Sequence, residues 1–182
     1  HRVRVWLNNR GVNFRPGLRG SVSIGAVGES ATLADAEPLL VDTIAENNFE
    51  PDFDDLQSKI NPNVRGIIIN SPSNPTGGVW DEKALLKLLR IAKENEWVII
   101  SDECYERLVY DGEFISTEKL NRENNINATV VTCLSLSKTY AMTGWRIGYT
   151  AGPREIIKAM SKLQGQATSC CLLYTSDAAD EG

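Results

Sequence analysis

From about residue 37 the chain alternates short, continuously apolar runs with longer amphipathic ones. The runs "RGIIIN" (65–70), "WVIISD" (97–102) and "TVVTCLS" (129–135) are rich in β-branched residues and have the length of strands buried on both faces. Between the first two lies "DEKALLKLLRIAKENE" (81–96), in which Leu85, Leu88, Leu89 and Ala92 recur at helical spacing. Asp81 is placed to cap that helix. A second helix is expected over "PREIIKAMSKLQ" (153–164), with Pro153 in its first turn, and a short strand over "IGYTAG" (147–152). Strand–helix–strand in this rhythm predicts an α/β fold: right-handed crossovers, a mostly parallel sheet and helices on both faces.

Such sheets bind ligands beyond the C-terminal ends of their strands. "SPSNPTGG" follows the first strand, Asp102 ends the second, and Lys138 follows the third. A turn carrying Asn74, a carboxylate and an amine are therefore expected at one edge.

Composition narrows the chemistry. The 182 residues carry a formal net charge of −5, 42% apolar and 24% charged residues, an ordinary globular balance without the footprint of a nucleic-acid or anionic-membrane partner. No apolar run reaches transmembrane length, and no signal peptide is visible at the start, which points to the cytoplasm. The one histidine is His1, and none of Cys104, Cys133, Cys170 and Cys171 forms a Cys-x-x-Cys pair. Zinc binding and histidine-assisted nucleophilic hydrolysis are thereby disfavoured. Cys104 and Cys133 read as buried structural thiols in apolar, strand-like surroundings.

What remains is amine and carboxylate chemistry. A lysine near a strand end is most often a surface residue, but its amine can condense with a carbonyl. Asp102 as a helix cap is the commoner reading; facing a pyridine nitrogen, it would keep the ring protonated. Tyr105 shares that edge if "DECYERL" begins a helical turn. Ser135, Ser137 and Arg146 together offer two hydroxyls and a bidentate cation, a set suited to a phosphate. Asn74 offers an amide donor in a loop rich in turn formers.

The stretches "NSPSNPTGGVW", "SDECYERLVYDG" and "SLSKTYAMTGWRIGY" resemble those of the fold-type I, pyridoxal-phosphate-dependent aminotransferases, in the class I/II group around the bacterial aspartate aminotransferases. Asn74 and Asp102 are 28 residues apart, and Asp102 and Lys138 are 36 apart, the order and separations of that family. The resemblance implies that Lys138 holds pyridoxal 5'-phosphate as an internal aldimine and shuttles the substrate proton. It implies that Asp102 pairs with the pyridine nitrogen, and that Tyr105 and Asn74 bond the phenolic oxygen. Asn74 would also reach the substrate α-carboxylate, Ser135 and Arg146 the phosphate, and Ser137 lies beside the lysine. Amino-group transfer between an amino acid, aspartate by preference, and a 2-oxo acid is the implied reaction, in a homodimer. A lyase of the same fold and cofactor, and a non-catalytic truncated module, are the alternatives.

Three regions are expected: a poorly patterned start over 1–36 without a clear element, which reads as frame-shifted or misassembled; a partial cofactor-binding large domain over 37–171; and a tail over 172–182. That tail, from "CLLYTSDAADE", resembles a translated sequencing adapter. No substrate-clamping arginine, glycine-rich phosphate turn or cofactor-stacking aromatic is visible. An inactive fragment of an aminotransferase is the resulting expectation.

Overall fold

In the computed structural model, residues 2–8, 36–43 and 45–167 are described. Among these residues six strands form one sheet: β1 (Arg2–Asn8), β2 (Ala36–Asp42), β3 (Val64–Asn70), β4 (Val98–Asp102), β5 (Thr129–Ser135) and β6 (Gly148–Ala151), in the spatial order β2-β1-β3-β4-β5-β6. The three apolar runs are its parallel core, with Ile67, Ile99 and Val130 in one register row. β6 returns antiparallel to β5, and β1 lies antiparallel between β2 and β3. The start of the chain therefore does contain an element, contrary to expectation. Its polar–apolar alternation, "RVRVWLN", is the period of a strand. Residues 9–35, and the tail expected over 172–182, lie outside the described residues.

The helices are α1 (Phe53–Lys59), α2 (Glu82–Glu94), α3 (Thr117–Glu123), α4 (Leu136–Thr139) and α5 (Arg154–Ala167). Asp81 caps α2 as expected, its carboxylate accepting from the Ala84 N–H at 2.7 Å. Ala84, Leu85, Leu88, Leu89 and Ala92 turn one stripe of α2 onto the sheet. Leu85, Leu88, Leu89 and Ala92 form one core with Leu56 of α1, Leu120 of α3 and the sheet residues Ile67, Ile69, Ile99 and Val130. Each of these leucines, fully buried, contributes roughly 1.5–3 kcal/mol. Side chains alternate along a strand, so Ile68 and Ile100 face the other way, and there they are only half-buried. The site lies at the C-terminal edge of that second face.

Close approach of β3 to β4 needs Gly66: a Cβ there would come within 2.5 Å of the Val98 carbonyl oxygen. The helices that precede β4 and β5 end alike. After α2, Trp97 N–H reaches the Ala92 carbonyl with Glu96 in the left-handed region; after α3, Ile126 N–H reaches that of Asn121 with Asn125 left-handed. These tight stops let the chain turn at once into β4 and into β5.

Candidate functional site

Parallel pairing fixes the first part of the site. Asn70, Asp102 and Cys133 occupy one register row, each at or near the C-terminal end of its strand. Equal register places their side chains on the same face. Asp102 is 8% exposed, and one carboxylate oxygen, Oδ1, accepts from the Cys104 N–H at 3.2 Å. Among the described residues no lysine or arginine forms an ion pair with it. A buried carboxylate without a cation is costly unless something else supplies a positive partner.

The chain after β4 continues in successive turns rather than as a helix: Glu106 N–H donates to the Glu103 carbonyl at 3.0 Å, and Leu108 N–H to that of Tyr105 at 2.8 Å. These turns carry Tyr105 to the lysine. Lys138 Nζ lies 5.8 Å from the centroid of the Tyr105 ring, within cation–π reach. Lys138 sits on α4, directly beyond β5, and its side chain is exposed. Tyr105 and Lys138 are thus brought together, beyond the strand end that carries Asp102.

Ser135 closes β5 and caps α4. Its Oγ accepts from the Ser137 N–H at 3.1 Å and donates to the Ile147 carbonyl at 3.4 Å. Ser137 is half-buried on the same short helix. Arg146 is brought to this end because β6 pairs back on β5, with Ser135 opposite Gly148. Its backbone is left-handed at φ 55°, and Nη1 donates to the Thr143 carbonyl at 3.1 Å, leaving most of the guanidinium exposed. Neither Lys138 nor Arg146 is in an ion pair among the described residues. Two uncompensated cations and the Ser135 and Ser137 hydroxyls suit an anion.

Asn74 is exposed, in a loop whose Ser71–Pro72 and Asn74–Pro75 bonds are cis. No contact joins its side chain to the lysine. A residue not singled out in the sequence ties the loop to the site instead. Asn70 Oδ1 accepts from the Asn74 N–H at 2.7 Å while its Nδ2 donates to the Asp102 carbonyl at 3.2 Å. Ser71 N–H donates to that same carbonyl at 3.3 Å, and buried Ser71 Oγ accepts from Trp80 N–H at 3.0 Å. The available signal was a strand-ending asparagine four residues before Asn74.

The two thiols differ from expectation. Both are half-buried, and Cys104 lies in the turn after β4 rather than in a strand. Burial, then a hydrogen bond to the Asp102 carboxylate and its charge, pushes Cys104 up to about 12. Burial, then the Asp102 charge, pushes Cys133 up to about 11. Both therefore stay protonated at neutral pH.

Known proteins resemble this chain in sequence and fold. The family model for aminotransferase class I and II matches residues 25–179. The aspartate/prephenate aminotransferase of Thermus thermophilus is 40% identical over 129 residues, which cover 71% of this chain and 32% of that protein. An aspartate aminotransferase of Pyrococcus horikoshii is 42% identical over 136 residues, covering 74% and 34%. Among solved structures, aspartate aminotransferase from Thermus thermophilus with maleate superposes with a TM-score of 0.71 at 38% identity, over 78% of this chain and 36% of that one. The chain spans about a third of the length of the curated relatives it matches.

Proposed function

The chain belongs to the aminotransferase class I and II family, and on that premise we propose that it carries the cofactor-binding face of a pyridoxal 5'-phosphate-dependent aminotransferase. The observation that carries this reading is the buried carboxylate of Asp102, in no ion pair among the described residues, on the same edge as the exposed amine of Lys138. A protonated pyridine ring would be a positive partner for this carboxylate, and a phosphate would suit the guanidinium of Arg146. The donor set therefore fits the cofactor.

When bound, the cofactor supplies an aldehyde that captures the amino group and a ring that withdraws electrons from it. The chain's own groups do the rest. Asp102 holds a proton on the ring nitrogen through the oxygen not committed to the Cys104 N–H. Lys138 Nζ would hold the cofactor's aldehyde carbon and, once displaced from it by the substrate amine, would move the substrate's Cα proton. Tyr105 Oη and the Asn74 amide would donate to the phenolic oxygen, and Asn74 would also reach the substrate carboxylate. Arg146 and Ser135 bind the phosphate, beside Ser137. The substrates proposed are an amino acid, with aspartate favoured, and a 2-oxo acid, in a cytoplasmic homodimer.

The test is to add pyridoxal 5'-phosphate to the chain, reduce with borohydride and map the modified peptide. A single label at Lys138, lost in Lys138→Ala, is the expected result. A label spread over exposed lysines such as Lys83 and Lys162, with Lys138 unmodified, would refute the assignment.

A further inference from the structure

Asp102 has a buried carboxylate as its chain neighbour that the proposed chemistry does not use. Glu103 is 2% exposed and sits on the opposite face of the sheet, toward α3. Its Oε1 accepts from Ser101 Oγ at 2.9 Å and from the Thr117 N–H at 3.1 Å. Ser101 Oγ is in turn 3.0 Å from Thr117 Oγ1. Its own N–H extends the β4–β5 ladder one residue past Asp102, donating to the Cys133 carbonyl at 2.9 Å.

Both neighbours of Asp102 are therefore fastened to one cluster behind the sheet. Ser116, the residue that caps α3, makes no side-chain bond to its own helix, and Glu103 accepts the first-turn N–H in its place. Desolvation lifts the Glu103 carboxyl above its ordinary value against the pull of these hydrogen bonds. An apolar residue would fill the space without that cost, but it could not hold Ser101 and Thr117 at fixed distances from the strand end.

We propose that Glu103 is a positioning residue for Asp102: by clamping residues 101 and 103 to α3 it keeps the Asp102 carboxylate on the opposite face, against the Cys104 N–H. The functional side of this rests on the reading of Asp102 as the partner of the cofactor ring.

The Cys104 N–H bonds to Asp102 Oδ1 only while that carboxylate is held in place, so its hydrogen exchange reports that placement without any cofactor. Exchange is measured on the cofactor-free chain for wild type, Glu103→Ala and Glu103→Gln, and pyridoxal 5'-phosphate affinity is measured in parallel. Glu103→Ala is expected to lose about tenfold or more of the Cys104 protection and of the affinity, while the Ile67 and Ile69 amides of β3 change little. Glu103→Gln keeps an oxygen acceptor and is expected to restore both. Unchanged Cys104 protection in Glu103→Ala overturns the proposal, and so does a parallel loss over Cys104 and β3. If Glu103→Ala does not fold, Ser101→Ala removes one donor from the same carboxylate and is judged by the same exchange criteria. A wild-type chain that binds no cofactor overturns the proposed function, and the exchange result then decides the clamp alone.

Discussion

Two adjacent carboxylates, Asp102 and Glu103, are both buried and have opposite tasks, because successive residues of an extended chain face opposite sides of the sheet. Glu103 also gives the residue scale a pH signature. Its folded carboxyl is raised, chiefly by desolvation, from an ordinary value of 4.5. A raised group contributes stability that is fully present below the unfolded value and is lost as pH rises through the folded one. Glu103→Gln removes that loss. The variant is therefore expected to gain stability relative to wild type as pH rises from 4 through the region above 4.5. Urea unfolding followed by tryptophan fluorescence at several pH values measures the difference. Curves that stay parallel across the range would sink the idea. A glycine matters here too: a Cβ on Gly78 would collide with the Asn48 carbonyl, fixing the course of the loop after Asn74.

Elements in this chain are defined as much by how they stop as by how they start. α2 and α3 end in the same six-residue pattern, with a residue in the left-handed region followed by a buried or half-buried apolar anchor, Trp97 or Ile126. After α3 that left-handed residue is Asn125, which tolerates the conformation; after α2 it is Glu96, at φ 56°. A β-carbon there costs on the order of 1–2 kcal/mol. Glu96→Gly is accordingly expected to stabilise the protein by about 1 kcal/mol, net of the added freedom of the unfolded chain. Asp81→Ala at the other end of α2 is expected to cost about 1 kcal/mol by removing the acceptor for the Ala84 N–H. Paired chemical denaturation of the two variants checks both signs. A destabilised Glu96→Gly would mean that the left-handed turn is not populated in solution.

For the whole molecule, the two faces of the sheet divide the labour. One carries α1, α2, α3 and the core; the other keeps Ile68 and Ile100 half-buried and presents Asp102 at its edge. A ligand bound only by the folded chain stabilises it by mass action, by about 2.7 kcal/mol at a hundredfold excess over its dissociation constant. Pyridoxal 5'-phosphate is expected to raise the melting temperature of the wild-type chain in this concentration-dependent way. Lys138→Ala should lose most of the shift. An equal shift in both would place the binding elsewhere.

The sequence by itself determined the parallel core, the α2 stripe with its Asp81 cap, and the strand-end positions of Asp102 and Lys138. Those features are local: an apolar run of strand length, a helical period and a capping residue need no knowledge of partners. Spacing and motif together also identified the family, which the matched region confirms. Only the tertiary structure decided that Arg2–Asn8 inserts antiparallel between β2 and β3, since alternation announces a strand but not its neighbour. The same holds for Asn70, whose bridge from Asn74 to Asp102 spans two strands, and for Cys104, which lies in the turn after β4 with its N–H on the Asp102 carboxylate rather than in a core strand. It holds most for Glu103. In sequence it is one more acidic residue beside Asp102, and only long-range packing against α3 buries it, because which face of a strand end is covered is settled by elements far away along the chain.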